Sequence, residues 1–77
     1  MAKVEDQNEW TVKAKNLLKA ELKRKGVGYR DLSERLKEMG TDLSEQGVAN
    51  KISRGGFSAA FMLQCLEAIG VESLRLD

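Results

Sequence analysis

Between Ser44 and Arg54 the side chains equipped for chemistry are Gln46, Asn50, Lys51 and Arg54. These groups donate and accept hydrogen bonds at neutral pH but move no protons, so the chemistry they offer is recognition rather than catalysis. An amide can pair with an adenine edge and a lysine with guanine acceptors, while a glycine such as Gly47 lets a helix lie close to the groove floor. The same polar pattern is also what any solvated helix face shows.

The rest of the chain adds little that could turn over a substrate. It has no histidine, and therefore no proton shuttle of the usual kind at neutral pH. One cysteine and no histidine exclude the common zinc patterns, and the acids do not fall at calcium-loop spacing. Cys65 sits on an apolar helical stripe and reads as a packing thiol. The run Gly26-Val27-Gly28 follows a helix rather than a strand, which makes it a connector and not a phosphate loop. Arg54-Gly55-Gly56-Phe57 reads as a helix end followed by an apolar clasp, not as an arginine-glycine RNA motif. Trp10 and Tyr29 fall at helix starts beside apolar positions, where packing is the commoner role. No enzyme, cofactor or metal is expected.

Four helices account for the spacing of the apolar residues. The first runs from about Trp10 to Lys25, with Trp10, Ala14, Leu17, Leu18 and Leu22 at helical intervals, and stops at Gly26. The second runs from about Tyr29 to Met39, with Leu32, Leu36 and Met39 on one face and Gly40 after its end. The third follows the N-cap Ser44, buries Val48, Ala49 and Ile52, and ends at Gly55 and Gly56. The fourth follows Ser58 and runs to Ile69 with Phe61, Met62, Cys65 and Leu66 apolar. Three helix starts carry an apolar pair across the cap: Val27 with Leu32, Leu43 with Val48, and Phe57 with Met62. Such staples fix the angle at which the chain enters a helix.

At 77 residues the chain has room for one all-α domain, with residues 1–8 expected to be flexible and residues 71–77 forming a tail. The absence of proline suits uninterrupted helices. A lone cysteine, and no apolar run of membrane-spanning length or leader character, point to a soluble cytoplasmic protein. Net charge is only +1, but from Thr11 to Lys37 nine basic side chains stand against three acidic ones. That surplus suits a polyanionic partner, and equally a lysine-solvated helix.

The order of elements resembles the lambda-repressor-like, Cro/C1-type helix-turn-helix domain. The resemblance in order runs across nearly the whole length of the chain, and the matching stretches are KRKGVGYRDLS, SEQGVANKISRGGFS and FMLQCLEAIGV. The wording also resembles a small bacterial family of uncharacterised domains, through ELKR-GV-Y-DL, NKISRG-FSAAF and QCL-AIG. The first resemblance implies a four- to five-helix bundle whose second helix is extended by about a turn, because Leu32 and Ala49 lie further apart than is usual. It further implies a double-stranded DNA-binding regulator with the third helix in the major groove. Gln46, Gly47, Asn50 and Lys51 then take base-facing positions. Lys23, Arg24, Lys25, Tyr29, Arg30, Arg54 and Ser58 fall at or near phosphate-contacting ones. The alternative is a protein-interaction module on the same scaffold, and Leu74 and Leu76 supply an apolar surface for a partner or a homodimer.

Overall fold

A computed structural model describes residues 9–76, and the flexibility expected for residues 1–8 falls outside them. Four helices follow in order: α1 (Glu9–Lys25), α2 (Tyr29–Glu38), α3 (Glu45–Arg54) and α4 (Ala59–Ala68). No strand occurs among the described residues. Each boundary lies within a residue or so of the position set by the apolar spacing and the caps.

The helix ends show why. At α1 the Gly26 amide donates to the Lys23 carbonyl and the Val27 amide to that of Leu22. Gly26 adopts φ +71°, a left-handed conformation that costs a glycine no Cβ clash. The same paired pattern closes α2 through Gly40 and Thr41, and α4 through Gly70 and Val71. In each, the amide of the residue after the glycine donates to the carbonyl of an apolar residue near the helix end: Val27 to Leu22, Thr41 to Leu36, Val71 to Leu66. At the N-termini, the Ser44 hydroxyl accepts from the Gly47 amide and that of Ser58 from the Phe61 amide, both at 3.0 Å. Gly28 precedes α2 without any side-chain cap, and Val27, buried beneath it, holds the start of the helix.

One apolar cluster draws on all four helices, with Leu18, Leu32, Leu36, Val48, Ile52 and Cys65 fully enclosed. α3 and α4 each pack against both α1 and α2, whereas α1 and α2 do not pack on each other. α2 runs ten residues, as do α3 and α4, and residues 39–44 connect it to α3. That connection is tied down by buried Ser33, whose hydroxyl donates to the Leu43 carbonyl. Arg35 bridges α2 to the end of α4, donating at 3.0 Å both to Asp31 and to the Ala68 carbonyl.

Two apolar residues expected inside are not there. Trp10 is 70% exposed, although its neighbour Thr11 lies against Gly55 at the end of α3: about 100° round the helix from Thr11, its side chain points away from that contact. Met39 is the C-cap of α2 and leaves the helix axis before it can reach the core, so it too is exposed. In the tail, Val71 and Leu74 pack against the core, while Leu76 stays 61% exposed. Leu74 is thereby withdrawn from the outward pair expected of it with Leu76.

Candidate functional site

α3 begins at Ser44 with Glu45 in its first turn and ends with Lys51 and Arg54 in its last, an order that suits the helix dipole. Burial of Val48 and Ile52 fixes its rotation about its own axis, with Ala49 half-buried beside them. At about 100° per residue, the side opposite that buried pair carries Gln46, Asn50 and Arg54, all exposed. Ser53 is exposed on the same arc, two turns beyond Gln46. It was not among the site residues expected from sequence, although its spacing of seven from Gln46 was available as a signal.

The two amides do not act separately. The Gln46 Nε2 donates to Asn50 Oδ1 at 3.2 Å, a link one turn long along the exposed ridge. It leaves the Asn50 amide nitrogen, one lone pair of its carbonyl and the Gln46 carbonyl facing solvent. Lys51 leans away from this ridge, with its ammonium 5.4 Å from the centroid of the Phe61 ring on α4. That ring in turn meets Phe57 at 5.8 Å between centroids. Gly47 is half-buried: a Cβ there would lie 3.3 Å from both Leu43 Cδ2 and Ser44 Oγ. Its missing side chain therefore makes room for the α3 cap, and the position is not an open floor on the ridge.

The residues expected at phosphates separate into two groups. Arg30, at the start of α2, brings its Nε to 4.0 Å from Glu45 Oε1 and so stands beside the start of α3. Arg54 and Lys51 border a shallow depression of about 170 Å³ with Gly56 and Phe57. Ser58 follows immediately, its oxygen engaged as the α4 cap and its hydroxyl proton available to donate. The other group gathers at the far end of α1. Lys23 and Tyr29 line a concavity along that helix, Lys25 is exposed, and Arg24 is held by Glu21 at 2.5 Å. Tyr29 is half-buried against the core.

Cys65 is enclosed in the core, and burial pushes its thiol up to about 12. It stays protonated and unreactive at neutral pH. Among the described residues no group of histidine, cysteine, aspartate or glutamate is arranged to hold a metal ion. No helix of the described chain is long and apolar enough to cross a membrane.

No curated protein and no solved structure matches the chain. A family model does match, across residues 10–74, which takes in all four helices and the tail as far as the residue that packs on the core. With that span matched, the chain belongs to the family of domains of unknown function DUF6471.

Proposed function

We propose that the protein binds double-stranded DNA sequence-specifically, inserting α3 into the major groove, and that it acts as a transcriptional regulator. The observation that carries this reading is the hydrogen-bonded amide pair of Gln46 and Asn50 on an exposed helical ridge. A major groove about 12 Å wide admits such a helix, and the free donor and acceptor of Asn50 match the N7 and N6 groups of adenine. Gln46 holds the Asn50 amide in one orientation, which reduces the side-chain entropy lost when a base is read.

Arg30, Lys51 and Arg54 flank the ridge and supply the phosphate contacts that set register. For Lys51 to turn from Phe61 toward the duplex costs about 0.5 to 1 kcal/mol, the worth of an exposed cation–π contact. A charge-assisted contact to a phosphate offsets that loss. The resemblance to lambda-repressor-like domains supports the same arrangement.

Selection from a random duplex library with the purified protein tests the reading. The wild-type chain recovers a defined motif, and Asn50→Ala relaxes preference at one adenine position, at a cost of about 1 to 3 kcal/mol. Three phosphate contacts give a log-log slope of affinity against salt close to about −3. Absence of a motif together with affinity indifferent to salt refutes the proposal.

A further inference from the structure

Because α1 and α2 are joined by a short link yet do not pack on each other, a concavity of about 460 Å³ opens where they meet. Its apolar wall is made by Leu22, Val27 and Tyr29. A second concavity, of about 580 Å³, lies toward the other end of α1 and is lined by exposed Leu76 of the tail together with Val12 and Leu17. The two share Asn16 and Ala20 and so adjoin as one shallow groove along the side of α1 that faces away from buried Leu18. From Glu9 to Lys23 it follows α1 for about 21 Å, the length of roughly four helical turns.

The border of this groove has one dominant sign. Lys13, Lys19 and Lys23 line it and are exposed, and none of the three is ion-paired with another of the described residues. Glu9, at its outer end, is the one carboxylate on its lining among the described residues. A second copy laid groove to groove would bring these lysines against their counterparts, and like charges so juxtaposed cost affinity. Nucleic acid does not fit either, since an apolar floor has nothing to offer a phosphate backbone.

We propose that the α1 groove docks an amphipathic helix of a partner protein. The partner's apolar side fills the space between Leu76 and Tyr29 over Ala20, and its flanks carry aspartate and glutamate opposite Lys13, Lys19 and Lys23. This proposal stands apart from the DNA reading proposed above, which rests on α3 with Arg30, and it assigns Lys23 and Tyr29, expected near phosphates from the resemblance, to the groove instead.

The test is a displayed library of helix-forming peptides, each about 20 residues long, selected on the full chain. Recovered sequences carry apolar residues at helical spacing with acidic flanks. Fluorescence anisotropy then shows each losing at least about tenfold in affinity for Ala20→Gln and for the triple variant Lys13→Glu, Lys19→Glu, Lys23→Glu. Ala20 is exposed, so its replacement leaves the core intact; Leu76→Gln, in the exposed tail, serves as a second probe should the triple variant unfold. Ala20→Gln leaves duplex binding unchanged. The proposal is overturned by a library that yields no binder, by binders without acidic flanks, or by binders indifferent to Ala20→Gln and Leu76→Gln. It is equally overturned if sedimentation shows a dimer, or duplex DNA a binding mode, that Ala20→Gln abolishes.

Discussion

Replacing Gly55 by alanine attacks a point where the end of α3 meets the backbone of α1 closely. Gly55 adopts φ +74°, and a Cβ built on it would lie 2.4 Å from the Thr11 carbonyl oxygen and 3.0 Å from its carbon. Two costs follow. Left-handed backbone costs an alanine about 1 kcal/mol more than a glycine. Separating Cβ from a fixed carbonyl by the further ångström it needs shifts the first turn of α1 against the end of α3, an overpacking cost of about 2 kcal/mol. Gly26 isolates the first cost, since its φ is +71° and nothing lies within 4 Å of its Cβ position. Gly55→Ala is therefore expected to lose about 3 kcal/mol and Gly26→Ala about 1 kcal/mol. Urea unfolding with an unchanged m-value measures both. The difference corresponds to a further loss of melting temperature on the order of 10 °C in a chain of this size. Equal losses in the two variants would show that the approach to Thr11 is soft and that α3 is not fixed by α1 at this point.

Further tests address single links in the same scaffold. Ser44→Ala removes the acceptor of the Gly47 amide and should cost about 1 kcal/mol, with Ser58→Ala costing a similar amount and the two adding, because they cap different helices. Ser33→Ala strands the Leu43 carbonyl and should cost about 1 to 2 kcal/mol, with faster amide exchange across residues 41–47 as its signature. Cys65 sets an alkaline limit: the unfolded thiol loses its proton above its ordinary value of 9.0, whereas burial makes the native one hold it to about 12. The native state then binds more protons than the unfolded one, so stability falls with rising pH above 9.0, by about 1.4 kcal/mol per unit, and Cys65→Ala flattens that slope between pH 9 and 10.

Helix positions were legible because each is set by residues close together in sequence. Gly26, Gly40 and Gly70 end helices through bonds reaching back no more than five residues, and Ser44 and Ser58 begin them through bonds reaching forward three. The stripe of Val48 and Ile52 likewise fixes which side of α3 faces out, which is why Gln46, Asn50, Lys51 and Arg54 are all exposed. Exposure alone does not say where a long side chain goes. Lys51, exposed on the flank of the ridge, has its ammonium drawn to a ring ten residues later in the chain. Gly47 looks like an opening in the helix surface until Leu43, from the preceding connection, is found against it.

What the spacing could not reveal is how consecutive helices cross. Gly26 and the uncapped Gly28 declare that α1 stops and α2 starts, but they leave the angle between them to whatever covers both. Here α3 and α4 do so, drawing Leu18 and Leu22 on one side and Leu32 and Leu36 on the other into a shared core. Because that core lies between α1 and α2 and not along a seam joining them, their junction stays open at Tyr29 and the described residues leave the outer side of α1 uncovered. The staple of Val27 with Leu32 holds only the near end of α2, so no longer-range pairing closes the gap. The groove on α1 is thus a consequence of the same packing that presents α3, and Gly55 against Thr11 is the point where the two helices that carry these faces are held at a fixed distance.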